Sequence, residues 1–288
     1  MVEFSLIKAL RDQEQTEDLI NEIEKGNASI HEKDEHGFSV LVYAIEWGLT
    51  DFAEFLIQKG AVLNEITFYV AALTWNVSLI KLHLEANLSP DLSYSGYTPL
   101  NTAIAALDRH MDANKYGSLV SIVDLLIDHE ADVNFKNEGL GQSALHLAAH
   151  YGAKKLVTKL LQKGADISAE DNQGYSPLHH VCLGGYDISV IQQLLDTGAD
   201  INIQDSIYGQ TPLHLAVLFY RYNAVVMLKQ LGANQYIRTS KELPFKNEKP
   251  YFDLEFPIGT SPLDIAKKLE MDDIRNVLLA QDWDVTFV

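Results

Sequence analysis

Apolar residues along this chain recur at three- and four-residue spacing in short runs, each closed by glycine or by a polar cluster. Leu178, Val181 and Cys182 form one such stripe, and Leu213, Ala216 and Val217 form another. That period lays side chains along one face of a helix, whereas a half-buried strand would alternate them. Such short helices cannot bury their stripes alone, so neighbours must stack. The starts and stops are equally regular. Ser or Thr followed by Pro, as at Ser176-Pro177 and Thr211-Pro212, opens a helix. The hydroxyl caps free amide hydrogens, and proline at the first helical position gives up no hydrogen bond. Gly60, Gly164 and Gly198 follow Leu-rich runs, where a helix ends in a left-handed residue that glycine adopts without penalty.

The unit defined by these signals is written several times. Gly141-Gln142-Ser143-Ala144-Leu145-His146, Gly174-Tyr175-Ser176-Pro177-Leu178-His179 and Gly209-Gln210-Thr211-Pro212-Leu213-His214 are one motif, spaced 33 residues from Ser143 to Ser176 and 35 from Ser176 to Thr211. A second motif, Leu160-Leu161-Gln162-Lys163-Gly164-Ala165-Asp166, recurs as Leu194-Leu195-Asp196-Thr197-Gly198-Ala199-Asp200. In period and motifs the chain resembles the ankyrin-repeat family. The resemblance implies an all-α solenoid of stacked helix-turn-helix repeats with short hairpin turns, and it covers nearly the whole chain. Gly37, Gly96 and Gly259 open further copies. A degenerate copy is expected to start near Thr67, where Thr67-Phe68-Tyr69-Val70-Ala71-Ala72 keeps the small residues but lacks the glycine turn, leaving room for a kink.

The expected organisation is N-terminal capping helices over 1–33, repeats over 34–238 with the degenerate copy near 65–92, and a capping repeat over 259–288. Two spacings are too long, 45 residues from Thr98 to Ser143 and 50 from Thr211 to Ser261. The first holds an insertion near 108–118, read as a lengthening between two helices. The second is a Pro- and aromatic-rich insertion over 239–258, with Pro244, Pro250, Pro257, Lys241, Lys246, Lys249, Phe245, Tyr251, Phe252 and Phe256. Long loops of this kind are often functional, while three prolines equally fit a passive, extended detour.

Composition narrows the classes. With 47% hydrophobic and 22% charged residues, the 288-residue chain has ample core material. An acid stands at Glu3 where a secretory signal would carry a base, and no run approaches the roughly 18 apolar residues of a membrane span. The expectation is a cytoplasmic protein, or one delivered into a host cytosol if it is an effector. A single cysteine, Cys182, excludes an intramolecular disulfide. The net charge of −18 disfavours nucleic acid and anionic lipid. It favours a basic protein partner, and fits plain solubility equally well.

Catalytic and ligand signatures are weak. Gly139-Leu140-Gly141-Gln142-Ser143-Ala144 has the letters of a dinucleotide fingerprint, but a polar segment, not a buried strand, precedes it. His179, His180, Cys182 and His214 are residue types that zinc prefers. The resemblance, however, implies that His146, His179 and His214 bridge neighbouring turns, and Cys182 aligns with Ala149 and Val217 as a small buried filler. The expectation is a non-enzyme with no cofactor and no metal.

For partner binding, the resemblance implies a concave groove formed by the turn tips and the exposed faces of the first helices. The residue after the turn glycine is Phe38, Tyr97 or Tyr175 in different copies. Beyond the small pair stand Glu46 and Trp47, Thr74 and Trp75, His150 and Tyr151, and Leu218 and Phe219, with Tyr208, Tyr220 and Tyr222 nearby. The candidate partner-binding residues are Phe38, Glu46, Trp47, Trp75, Tyr97, Tyr151, Tyr175, Tyr208, Phe219 and Tyr222. Exposed aromatics supply large contact area at low entropic cost. Trp47 and Trp75 are expected side by side on the groove, the alternative being burial in the degenerate repeat. Glu35, Glu46, Asp171 and Asp205 favour a partner with Lys or Arg, although Asp171 and Asp205 equally suit the turns. The function expected is a protein-binding scaffold, adaptor or effector. The alternative is a dedicated inhibitor or immunity-type protein that blocks a basic enzyme or toxin with an acidic, aromatic-lined surface.

Overall fold

A computed structural model of the chain describes residues 5–13, 15–107, 111–184, 187–245 and 254–280. Among these residues sixteen helices follow one another in pairs, and the chain divides into two compact units, Met1–Asp132 and Val133–Val288. The first unit holds α1 (Leu6–Arg11) with α2 (Thr16–Glu24), α3 (Val40–Glu46) with α4 (Thr50–Gln58), α5 (Glu65–Leu73) with α6 (Val77–Glu85), and α7 (Pro99–Ala105) with α8 (Ala113–Asp128). The second holds α9 (Ala144–His150) with α10 (Lys154–Gln162), α11 (Pro177–Gly184) with α12 (Ser189–Asp196), α13 (Pro212–Leu218) with α14 (Tyr222–Gln230), and α15 (Pro262–Lys268) with α16 (Asp272–Leu279).

Within each unit the first helix of a pair packs on the first helix of the next. In the first unit α1 meets α3, α3 meets α5 and α5 meets α7; in the second α9 meets α11, α11 meets α13 and α13 meets α15. The stripes read from the sequence lie in these seams: Leu41, Ile45, Leu100 and Ile104 are fully buried in one unit, and Leu178, Val181, Cys182, Leu213, Ala216 and Val217 are buried in the other. Burial of each large aliphatic side chain contributes about 2 kcal/mol, which short helices lack when alone.

The second helices end alike. Gly60, Gly164 and Gly198 adopt φ of +102°, +85° and +106°, as the glycine signal requires, and Asn87 and Glu130 take the same left-handed place after α6 and α8. At the other end of the repeat, Thr98, Thr211 and Ser261 cap α7, α13 and α15 by accepting the amide hydrogen of the third helical residue.

In the second unit, that third residue also joins one repeat to the next. The Ser143 amide donates to Nδ1 of His146 at 3.2 Å, which leaves the ring proton on Nε2 to donate to the Tyr175 carbonyl at 3.0 Å. His179 repeats the arrangement between the Ser176 amide (3.1 Å) and the Gln210 carbonyl (3.0 Å). His214 repeats it between the Thr211 amide (3.0 Å) and the Thr260 carbonyl (3.1 Å). Burial pushes all three imidazoles down to about 4, so they are neutral at neutral pH.

The helix of the degenerate copy starts at Glu65, two residues before the motif read at Thr67. Asn64 caps α5: its Oδ1 accepts from the Thr67 amide at 3.0 Å, and Thr67 Oγ1 accepts from the Asn64 amide at 2.9 Å. Thr67 is therefore inside the helix, buried, with its hydroxyl 2.8 Å from Nε2 of His83. The reciprocal Asn/Thr cap is a stronger start signal than a lone threonine. No hairpin turn precedes α5; residues 61–64 lead into it directly from α4.

Residues 113–118 of the first insertion are helical and extend α8 to 16 residues; 108–110 lie outside the described residues. The second insertion starts and ends in an antiparallel pair of short strands, β1 (Leu243–Phe245) with β2 (Leu254–Phe256), an addition to an otherwise helical fold. Its base is closed by Thr239 N to Thr260 O and Gly259 N to Thr239 O, both 3.0 Å. Phe256 is fully buried with the Lys268 ammonium 4.8 Å from its ring centre. Lys246, Lys249, Pro250, Tyr251 and Phe252 lie outside the described residues.

The neutral imidazoles set a pH dependence. Their folded pKa values lie below the unfolded value of about 6.5, so the unfolded chain binds the protons first on acidification. Stability should be full above about pH 6.5 and fall by up to ~1.4 kcal/mol per pH unit for each histidine until the folded rings titrate. Urea midpoints measured from pH 7.5 to pH 4 check this, and a flat profile would contradict it. A second expectation concerns Gly184, where a Cβ would stand 1.8 Å from the His150 carbonyl oxygen. Gly184→Ala should cost about 3 kcal/mol by forcing α9 and α11 apart, measured by thermal or denaturant unfolding.

Candidate partner-binding surface

Three of the turns are folded around an aspartate side chain. Asp34 Oδ1 accepts from the His36 and Phe38 amides, both at 2.9 Å. Asp171 Oδ1 accepts from Gln173 (2.8 Å) and Tyr175 (2.9 Å), and its Oδ2 lies 2.9 Å from Nε2 of His180. Asp205 accepts from Ile207, Tyr208 and Gln210. Burial would raise the Asp171 carboxyl, but hydrogen bonds from His180 and the amides outweigh it and hold the group below the usual range. Both Asp171 and Asp205 are buried turn builders, so the acidic groups presented to solvent are others, Glu35 and Glu46 among them.

The turns carry Phe38, Tyr97, Tyr175 and Tyr208 half-buried. Tyr94 and Tyr97 exchange backbone hydrogen bonds of 3.0 and 3.1 Å across Ser95 (φ +51°) and Gly96 (φ +76°), the positive pair that a two-residue type I′ hairpin needs. Tyr69 of α5 packs 5.3 Å from Tyr94, so the first unit presents an aromatic cluster that the sequence reading did not assemble. In the second unit Tyr175 stacks on His179 at 5.5 Å and donates its hydroxyl to Gln210 Oε1 at 3.1 Å. The Tyr208 carbonyl accepts from the Ser240 amide at 2.8 Å.

The second row lies at the ends of the first helices, and its register differs from the expected one. Trp47, Thr74, Tyr151 and Phe219 are the residues that close α3, α5, α9 and α13. The next residue in each is left-handed: Gly48, Trp75, Gly152 and Tyr220, with φ of +73°, +52°, +64° and +51°. The backbone pattern is the same throughout, Gly48 N bonding Ile45 O and Trp75 N bonding Ala72 O. Trp75 therefore matches Gly48 and not Trp47, and the expected equivalence of the two tryptophans is off by one residue. The half-buried Trp75 donates its indole Nε1–H to the Ala103 carbonyl of α7 at 2.9 Å, tying two first helices together.

Trp47 is 42% exposed and tilts against Tyr43 at 5.4 Å. Tyr43 is in turn fixed by Arg11, whose Nη2 donates to its hydroxyl at 2.7 Å, and by Asp34, which accepts from that hydroxyl at 2.5 Å. Beside it a 360 Å³ cleft is lined by Leu10, Arg11, Gln13, Thr16, Trp47 and Leu49. In the second unit Tyr151 sits edge-on to His150 at 5.2 Å. Phe219 and Tyr222 are 46% and 39% exposed. Tyr220 donates to Asp273 Oδ2 at 2.5 Å and, with Asp187, Ile188, Arg221 and Tyr222, lines a 400 Å³ cleft. Periodicity gave no hint of Arg11 or Tyr43; Tyr220 was legible as one of the C-terminal aromatic residues, and the structure puts it in the left-handed place that Gly48 and Gly152 take in other copies.

The residues weighed for metal or nucleotide chemistry are engaged structurally. His179 and His214 use both ring nitrogens within the protein. Cys182 is buried, and burial pushes its thiol up to about 12. Among the described residues no three His, Cys, Asp or Glu side chains are grouped to hold a metal ion. The Gly139 and Leu140 carbonyls accept from the side chain and backbone of Asn172 in the next turn, at 3.2 and 2.9 Å. Nor is any helix among the described residues long and apolar enough to cross a membrane.

Comparison with known proteins agrees with this architecture. Residues 109–205 match a family model of ankyrin repeats in three copies, and residues 187–228 match one of ankyrin repeats in many copies. The chain is 26% identical over 251 residues to the nuclear factor NF-kappa-B p105 subunit of Gallus gallus, covering 70% of this chain and 25% of that protein. It is 31% identical over 125 residues to the neurogenic locus Notch protein of Drosophila melanogaster, covering 42% and 5%. It is 29% identical over 163 residues to a putative ankyrin repeat protein of Rickettsia bellii, covering 56% and 55%. The chain thus spans less than two thirds of each of these relatives. Among solved structures, the ankyrin repeat domain of Bcl-3, a member of the IkappaB protein family, superposes with a TM-score of 0.60 at 23% identity, covering 85% of this chain and 99% of that one, a likeness of fold. Repeats of this type typically serve as non-enzymatic modules for binding other proteins. The matches identify residues 109–228 as ankyrin repeats, and the helix pairs give the chain the ankyrin-repeat fold.

Proposed function

We propose that this chain is a non-enzymatic cytoplasmic scaffold that holds a partner protein against the turn tips and first-helix ends of its repeats. The observation that carries this reading is the recurrence of a large aromatic residue at the end of a first helix, Trp47 in one unit and Tyr151 and Phe219 in the other, with Trp47 and Phe219 substantially exposed. Exposed aromatic side chains held by a rigid scaffold are the usual anchors of protein interfaces. Phe38 and Tyr97 add to the aromatic surface of the first unit and Tyr175, Tyr208 and Tyr222 to that of the second, and Glu46 adjoins Trp47 with its carboxylate exposed.

The partner is a basic protein. Residues 1–132 carry 22 acidic and 8 basic side chains, a net of −14, whereas residues 133–288 carry 18 and 14, a net of −4. Such a field accelerates encounter with a positive surface and weakens as salt is added.

Trp47→Ala and Phe219→Ala should each cost about 1–2 kcal/mol, because each side chain is a little under half exposed and packs in part on its neighbours, and both variants should still fold. The pair of substitutions together should abolish capture of the partner by the immobilised chain, read by mass spectrometry beside wild type. Trp75→Phe should differ in its effect on capture. Loss of the bond to Ala103 should cost about 1 kcal/mol, while capture is retained. Undiminished capture by the folded Trp47/Phe219 double variant would overturn the anchor assignment.

A further inference from the structure

In the second unit, each turn rests on the next. The Asn172 amide donates to the Leu140 carbonyl at 2.9 Å, and the Ser240 amide donates to the Tyr208 carbonyl at 2.8 Å. The contact is close enough that a Cβ on Gly174 would stand 2.7 Å from Ser206 Oγ. The histidine at the third position of each first helix reaches the same following turn.

The turn 34–38 of the first unit has no such successor, because residues 61–64 pass from α4 to α5 without a hairpin. Three features mark the gap, beside a His36 carbonyl that accepts from no described residue. A Cβ on Gly37 would meet nothing within 4 Å. The third residue of α3 is Val42, which cannot bridge to a following turn. The hydroxyl of Ser39 is buried without a hydrogen-bond partner, a state that costs about 1–3 kcal/mol unless something satisfies it.

Between the turn and the 61–64 segment lies a depression of 140 Å³ lined by Ile30, Lys33, Ser39, Ala61 and Val62 among others. Val62 is 65% exposed. A space of this size is close to the ~150 Å³ that accommodates a benzene ring, room for one aliphatic side chain. Glu65 stands next to the lining residue Asn64, and Glu35 lies two residues from Lys33; both carboxylates are exposed.

We propose that this notch docks an extended, basic segment of the partner protein, whose backbone fills the place of the missing turn. A backbone amide of the segment donates to the His36 carbonyl, and an aliphatic side chain enters the depression over Val62. Flanking Lys or Arg residues face Glu35 and Glu65 in a unit whose net charge is −14. The occupant rests on the scaffold reading; the notch itself rests on the absent hairpin.

The test is selection of a display library of random linear peptides on the intact chain, followed by fluorescence polarisation of the enriched peptides on wild type, Val62→Lys, Glu65→Lys and Trp47→Ala. Both lysine substitutions are at exposed positions, and circular dichroism verifies each fold. The expected peptides combine Lys or Arg with a central aliphatic residue. Their affinity should fall at least about tenfold in Val62→Lys and severalfold in Glu65→Lys, stay within about threefold in Trp47→Ala, and weaken with added salt. Enriched peptides that bind Val62→Lys as tightly as wild type overturn the notch, as does an absence of enriched peptides. If the natural partner is still lost by the Trp47/Phe219 double variant in either of those cases, the scaffold reading stands and only the notch fails.

Discussion

The imidazole at the third position of a first helix joins three scales of this protein. Its Nδ1 takes the free amide at the start of its own helix, its Nε2 proton goes to the backbone of the following turn, and its ring fills the seam between two helices. A helix as short as Ala144–His150 does not persist in water, and two such helices cannot cover each other's apolar faces. Stacking supplies the missing burial, but burial alone is non-directional. The bridge through His146, His179 and His214 sets the spacing of successive turns in the second unit, and it does so only while the rings are neutral.

The first unit reaches the same architecture by other contacts. Val42 stands at the third position of α3, and Thr67 holds it in α5, where its hydroxyl turns to His83 of α6. No turn follows α3 for a histidine in place of Val42 to bond; a hairpin at 94–97 does follow α5, but Thr67 is turned to His83 instead. Trp75 supplies a link in the same part of the stack, its indole reaching the Ala103 carbonyl from a left-handed residue. A tryptophan with φ of +52° carries local strain of roughly 1 kcal/mol or more, offset by the hydrogen bond and the ring's contacts. Tyr220 repeats the device in the second unit with Asp273 as its partner.

The same economy of turns shapes the surface. A turn whose aspartate is consumed by backbone amides leaves its following aromatic side chain half-buried and fixed, which is the preorganisation that binding requires. The acid balance of the first unit comes instead from side chains that the turns do not use, such as Glu35, Glu46 and Glu65.

Period, helix starts and helix stops were legible in the amino-acid order because they are local: Ser-Pro and Thr-Pro caps, Gly60, Gly164 and Gly198, and stripes such as Leu213, Ala216 and Val217 each act within a turn or two of helix. The bridging role of His146, His179 and His214 was legible only through the repeat, since one copy gives no sign of what lies a whole unit away. Register at irregular ends was not legible. Trp75 differs from Trp47 by one position because α5 closes on Thr74, and the tryptophan takes the left-handed place that Gly48 fills after α3. Sequence order showed Phe256 only as part of a Pro- and aromatic-rich insertion, whereas the structure buries its ring against Lys268 of the last repeat. The unit-specific features, the Arg11–Tyr43–Asp34 support under Trp47, the Tyr69–Tyr94 cluster and the unfilled place beside Ser39, join residues far apart in the chain. No local pattern encodes them, because which side chains meet across a seam depends on the stacking itself.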